Sequence, residues 1–250
     1  MEVIQLIIVI CGPSGVGKTK LSIELAKYYN AIIVNCDATQ VYKELNIGSS
    51  KIKESEKSNI PHYMLDIVSP NDEYNVYKYQ LDARKILENN KDKNIIIVGG
   101  TGLYINALLY DYKFDKNNPT REKSNNQAKE LYKAFYIGLT TDRKLLYNRI
   151  NSRVDEMVNE GLISEVKKLY ELYPYSKILH SAIGYKELIK YFDKEITLDN
   201  CIELIKKNTR NYAKRQYTWF NNKLNVEWFN VNYEDFNITI KEVIDYLNSK

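Results

Sequence analysis

Residues 3–19 read Val-Ile-Gln-Leu-Ile-Ile-Val-Ile-Cys-Gly-Pro-Ser-Gly-Val-Gly-Lys-Thr, and this stretch decides the fold class. Val3 to Ile10 is apolar and rich in β-branched residues, the pattern of a buried strand. Gly12, Pro13, Ser14, Gly15, Val16, Gly17, Lys18 and Thr19 then fit G-x-x-x-x-G-K-[ST]. From Lys20 to Tyr29 the residues Leu21, Leu25 and Tyr28 recur at helical spacing. A glycine loop between a strand and a helix lets successive N–H groups and the helix N-terminus surround an anion. Lys18 adds a point charge, and the Thr19 hydroxyl can ligate Mg²⁺. Residues 12–19 are therefore a candidate pyrophosphate- or nucleotide-binding loop of the kind that also serves ATP.

Further strands are expected at Ala31 to Val34, Asn94 to Val98 and Phe135 to Leu139, with helices at Val76 to Glu88 and Gly102 to Tyr110. Alternating strand and helix implies an α/β fold, a P-loop NTPase-like parallel sheet with helices on both faces. The second half changes character. Asp142 to Asn159, Leu162 to Leu172, Ile183 to Tyr191 and Leu198 to Asn221 all read as helices, giving a helical C-terminal half. A late strand is expected at Asn225 to Val231 and a closing helix at Ile238 to Leu247. Asp111 to Glu130 is polar, holds Pro119 and lacks apolar period, so it reads as a loop.

The chain has 250 residues, with 36 Lys plus Arg against 32 Asp plus Glu, a formal charge of +4. At roughly 150 residues per domain this allows one large domain, read here as a single unit over 1–250. A hydrophobic content of 44% is enough for a core and excludes wholesale disorder. The apolar run Leu6 to Cys11 is far short of the ~20 residues of a membrane helix. It lacks a basic flank and runs into the glycine loop, so it does not read as a signal peptide. Three cysteines cannot make a disulfide framework, which suits a cytoplasmic protein. Cys11 and Cys36 read as buried fillers, Trp219 and Trp228 as core anchors, and His62 as a structural hydrogen-bonder. No partner is expected for His180.

A P-loop NTPase usually carries an apolar strand ending in Asp to hold its magnesium. Here Ile95-Ile96-Ile97-Val98 runs into Gly99-Gly100-Thr101-Gly102 with no carboxylate. The candidate acid is Asp37, just past the strand at Ala31 to Val34. Ligands of a parallel sheet sit at the carboxyl ends of its strands, which puts Asp37, Thr101 and the phosphate loop on one rim. Asp37 is at this stage a magnesium ligand, a general base, or a cap for the following turn.

Several blocks together resemble the tRNA dimethylallyltransferases. They are Gly12–Thr19, Asp37-Ala38-Thr39-Gln40-Val41-Tyr42, Asn46-Ile47-Gly48-Ser49-Ser50-Lys51, Ile60-Pro61-His62-Tyr63-Met64-Leu65-Asp66 and Ile97-Val98-Gly99-Gly100-Thr101-Gly102-Leu103-Tyr104. Ala182-Ile183-Gly184-Tyr185-Lys186-Glu187 and residues 208–220 (NTRNYAKRQYTWF) complete the set in the family's order. The resemblance implies transfer of the five-carbon group of dimethylallyl diphosphate to the exocyclic amine of an adenine beside the anticodon. It implies Asp37 as general base, and Thr101 as positioning the amine and the diphosphate. It places Lys18 and Arg210 at the pyrophosphate, and Asp37, Ala38, Thr39 and Gln40 against the target base. Mg²⁺ at Thr19 is the implied cofactor.

Lys206, Lys207, Arg210, Lys214 and Arg215 form a stretch without an acid, and Lys206, Arg210 and Lys214 share one helix face. The resemblance gives this face to substrate phosphates and adds Arg149 and Arg153, with Arg121 as a further match, as tRNA contacts. The partners implied are the anticodon loop of tRNA and dimethylallyl diphosphate, with no membrane, and the protein is expected to be a monomer. One departure stands out. Family members insert a helical subdomain after the Gly-Gly-Thr-Gly-Leu-Tyr block, and this chain has only residues 111–134 there, a truncated insertion. A free adenine nucleotide (AMP, ADP or ATP) is therefore the alternative acceptor. A P-loop small-molecule kinase is the alternative from another class, and an RNA-binding protein with reduced catalysis is a fourth.

Overall fold

The computed structural model describes residues 5–115, 118–122 and 129–250. β1 (Ile7–Cys11) leads through the glycine loop into α1 (Lys18–Tyr29), and Asn30 in the left-handed conformation ends that helix. β2 (Ala31–Asn35), β3 (His62–Tyr63), α2 (Val76–Asn89), β4 (Asn94–Val98) and α3 (Gly102–Leu109) follow. After a short hairpin of β5 (Phe114–Asp115) and β6 (Asn118–Glu122) come β7 (Phe135–Thr140), α4 (Arg143–Asn159) and α5 (Leu162–Leu172). The chain closes with α6 (Tyr185–Phe192), α7 (Leu198–Lys223), β8 (Glu227–Asn230) and α8 (Phe236–Asn248). Among the described residues no helix is long and apolar enough to cross a membrane.

Six strands form one sheet in the order β3-β2-β4-β1-β7-β8, with every neighbouring pair parallel. Alternation along β1 feeds two layers. Ile7, Val9 and Cys11 pack with α2 and α3, while Ile8 and Ile10 pack with α1 and α8. Helices on both faces explain why these strands are continuous apolar runs instead of alternating ones. Each buried Ile adds about 1.5–3 kcal/mol, so the sheet interior, not its edges, holds the fold. A third cluster joins Val41, Tyr42 and Leu45 to α4, α5, α6 and α7. The segment that follows Asp37 is thus clasped by the helical half, and a cleft is left between that half and the strand ends.

The sequence reading missed three short strands. β3 is only two residues long and joins the sheet edge by pairing with Ile33 and Val34 of β2. The region expected as a loop between Asp111 and Glu130 contains the antiparallel pair β5–β6, with Phe114 opposite Glu122. None of the three carries an apolar period, because each is held by backbone pairing with a neighbouring strand. Smaller readings divide. Cys11 and Cys36 are fully buried, and His62 Nδ1 sits 2.7 Å from Ile60 O. His180 does have a partner, with Nε2 2.7 Å from Pro174 O. Tyr28 lies on the solvent side of α1, 56% exposed. Trp219 and Trp228 are half-buried against the α2–α3 side of the core.

Candidate active-site cleft

β1, β4 and β2 are adjacent, so the loops leaving their carboxyl ends meet on one rim. Backbone bonds knit these ends together: Cys36 N–H donates to Val98 O (2.8 Å), Gly99 N–H to Ile10 O (3.2 Å) and Thr101 N–H to Cys36 O (3.2 Å). The approach is so close that a Cβ at position 99 would lie 2.0 Å from Cys36 O, which only glycine avoids. The cleft has a volume of about 580 Å³. Ser14, Lys18, Thr19, Asp37, Gln40, Thr101, Arg149, Arg153 and Arg215 are among its lining residues, and Val154, Met157, Leu162, Ile183 and Ile205 supply an apolar stretch of wall.

At the loop, Gly17 takes φ +106° and opens α1 without a side-chain cap, so the first amides of the helix remain available to an anion. Lys18 folds over the loop and donates Nζ to Gly12 O (3.0 Å) and Pro13 O (2.8 Å). Burial pulls its ammonium down to about 8, with Asp37 and Cys11 acting in the opposite direction. Thr19 lines the same end of the cleft. Among the described residues no three His, Cys, Asp or Glu side chains cluster to hold a metal. The donors at hand, the Thr19 hydroxyl and nearby backbone, suit Mg²⁺ that takes the rest of its shell from water and substrate phosphate.

Asp37 follows β2 and its Oδ1 accepts from Thr39 N–H (2.9 Å) and Gln40 N–H (3.3 Å), which caps the turn. Oδ2 takes no hydrogen bond from the described residues. Burial raises the Asp37 pKa above its ordinary value, and the two N–H groups, Lys18 and Lys51 only partly offset this. The cap and the base are compatible, since each uses a different carboxylate oxygen. Thr101 Oγ1 accepts from Ala38 N–H (3.1 Å), which ties the turn after β4 to the turn after β2. Its hydroxyl also hydrogen-bonds with Tyr212, which lines the same cleft.

The basic residues separate into two groups. Arg149 lines the cleft beside the phosphate loop, with its guanidinium 3.9 Å over the Tyr233 ring and Nε 3.5 Å from Gly15 O. Arg153 lines it while paired with Glu156 and Glu160, and Arg215 lies over Tyr212 at 5.6 Å. Arg210 does not reach the cleft: its guanidinium donates to Asn151 on α4. The expected shared basic face of α7 is also broken. Lys206 is half-buried and paired with Asp155 (2.8 Å) and Glu203 (3.1 Å), and the first of these acids comes from α4. Lys214 is exposed on the outside of α7, away from the cleft lining. The side chain of Arg121 lies outside the described residues.

Two functional side chains escaped the sequence reading. Glu165 on α5 accepts from three successive amides, Asn46 (3.1 Å), Ile47 (2.8 Å) and Gly48 (3.1 Å), and from the Tyr185 hydroxyl (2.7 Å). The loop it grips continues into Ser49 and Ser50, which line the cleft, and Gln40 Nε2 donates to Ser49 O at 3.0 Å. Glu165→Gln exchanges one acceptor oxygen for an NH₂ that faces N–H donors. A charged hydrogen bond is worth about 1.5–3 kcal/mol, so urea denaturation should show a loss of that size. The second side chain is Gln216, whose Oε1 accepts from Ser14 N–H (3.0 Å) and whose Nε2 donates to Gly100 O (3.0 Å). A polar residue on the stripe formed by Ala213 and Phe220 was the available signal.

A family model described as IPP transferase matches residues 40–131 and 115–223. The chain is 39% identical to a tRNA dimethylallyltransferase of Anoxybacillus flavithermus, across 98% of this chain and 96% of the relative. It is 38% identical to the Bacillus subtilis tRNA dimethylallyltransferase, with 98% of each covered. The alignment to the Anoxybacillus protein spans 300 positions against the 250 residues of this chain, so roughly fifty positions are filled by the relative alone. Among solved structures, a tRNA delta(2)-isopentenylpyrophosphate transferase of Staphylococcus epidermidis superposes with a TM-score of 0.88 at 33% identity, covering 98% of this chain and 100% of that one.

Proposed function

The chain belongs to the IPP transferase family, and from that premise we propose that it transfers the dimethylallyl group of dimethylallyl diphosphate to the exocyclic amine of an adenine next to the anticodon in tRNA. The observation that supports this chemistry most directly is one cleft that joins a phosphate loop, an apolar wall and a carboxylate with a raised pKa. The diphosphate lies on the amides of residues 15–19 and on Lys18. Thr19 would hold Mg²⁺, which would supply further neutralisation of the leaving charge. The five-carbon group rests on the apolar wall near Met157 and Ile183.

Carbon–oxygen cleavage sends the electron pair to the departing diphosphate oxygen, where Lys18 and the loop amides stabilise it. The adenine amine forms the new C–N bond and passes its proton to Asp37 Oδ2. Thr101 orients the amine, and Ala38, Thr39 and Gln40 form the floor under the base. Arg149, Arg153 and Arg215 attract the phosphates of the substrates; Arg210 acts from behind by holding α4 and α7 together. Residues 111–134 are the shortened counterpart of a longer insertion, a reading supported by the two matched stretches of the family model overlapping within it. The enzyme works in the cytoplasm, as a monomer.

Relatives of nearly equal coverage are named as tRNA enzymes, which favours RNA over a free nucleotide and over a kinase reaction. Labelled dimethylallyl diphosphate offered with either an anticodon stem-loop or AMP tests this. Label is expected in the RNA. Label in AMP alone would overturn the acceptor, and ATP turnover with label in neither would support the kinase.

A further inference from the structure

We propose that Gln216 is a positioning residue that sets the distance between the diphosphate and the adenine amine. The proposal rests on the prenyl-transfer reading and adds to it a residue that touches neither substrate. Gln216 is 4% exposed, in the middle of α7, between the apolar contacts of Ala213 and Phe220. A Leu or Met there would pack without the cost of desolvating an amide. The amide is instead used at both ends. Ser14 N–H can only donate and Gly100 O can only accept, so the two backbone groups fix which end of the amide is oxygen. The Ser14 hydroxyl lies 3.4 Å from the same Oε1.

The two anchors belong to the two reacting partners. Ser14 is in the loop that holds the leaving group. Gly100 precedes Thr101, and a Cβ built on Gly100 would lie 3.9 Å from Asp37 Oδ2 and 2.1 Å from Gln216 Nε2. Gly100 is therefore bare so that the amide can reach its carbonyl. One side chain on a long helix thus braces the donor loop against the acceptor rim. Bond formation needs the amine and the allyl carbon about 3–3.5 Å apart, and a misplacement of about 1 Å can cost 10²-fold in rate.

Two variants test the brace. Gln216→Met keeps length and burial but removes both bonds. It should stay folded by circular dichroism and lose about 10²-fold in kcat, with the KM for each substrate nearly unchanged, because each half-site is intact. Gln216→Glu keeps the acceptor for Ser14 but, when ionised, repels Gly100 O and adds a negative charge near Asp37. Protonating the new carboxyl restores the donor. The ratio of its kcat to that of wild type should therefore rise as pH falls, whereas the ratio for Gln216→Met stays flat. If Gln216→Met does not fold, the pH ratio of Gln216→Glu decides alone. Wild-type kcat in folded Gln216→Met, or a flat ratio for Gln216→Glu, overturns the role. Wild type that transfers no prenyl group sinks the function and the role together. Wild type that transfers it beside an unimpaired Gln216→Met sinks only the role.

Discussion

Asp37→Asn should lower kcat by about 10²–10⁴-fold, the range for loss of a general base. The substitution is close to isosteric, and its side-chain oxygen can keep the bonds from Thr39 and Gln40 N–H, so the turn after β2 survives. What is lost is the ability of the second atom to take a proton, since an amide nitrogen is not a base. The KM for dimethylallyl diphosphate should hardly change, because Lys18 and the loop amides are untouched. The pH profile adds a second readout. A general base works only when deprotonated, and burial raises the Asp37 pKa above the ordinary 3.8. Wild-type kcat/KM should therefore fall as the medium becomes acidic, with a midpoint above that value, and this limb should be absent from the residual activity of Asp37→Asn. Turnover near wild type in a folded variant would sink the assignment and leave Asp37 as a turn cap alone.

What the sequence made legible follows from how local each signal is. β4 and α5 have the expected bounds, since an apolar run between turn residues and an apolar stripe at helical spacing are properties of short windows. The rim shared by Lys18, Asp37 and Thr101 was legible too, because a parallel sheet delivers its loops to one edge. The failures at the candidate site are long-range. The acid-free stretch together with the family resemblance gave Arg210 and Lys206 to substrate phosphates, yet their partners Asn151 and Asp155 lie on α4. Glu165 meets amides 117 to 119 residues away, and Gln216 meets an amide 202 residues away. No window contains such pairs. Only the cost of burying a polar group hints that Gln216 has work to do, and the hint does not name its partners.

Lys18→Met is expected to lower kcat/KM for dimethylallyl diphosphate by about 10²–10³-fold, as for loss of a preorganised donor at a developing negative charge. Both parameters should suffer, since the ammonium meets the diphosphate in the ground state and more strongly as the carbon–oxygen bond breaks. The wild type carries its own control. With its pKa pulled down to about 8, Lys18 in the free enzyme loses its charge as pH rises through that value. Wild-type kcat/KM for the donor should thus fall on the alkaline side of about 8, and Lys18→Met should lack that limb. The stability data should run the other way. The unfolded chain keeps this proton up to about 10.5 and the folded chain releases it near 8, so between these values the unfolded state binds more protons. Wild type should gain stability relative to Lys18→Met across that window in urea denaturation. An alkaline limb that persists in Lys18→Met would assign it to another group and detach Lys18 from the leaving charge.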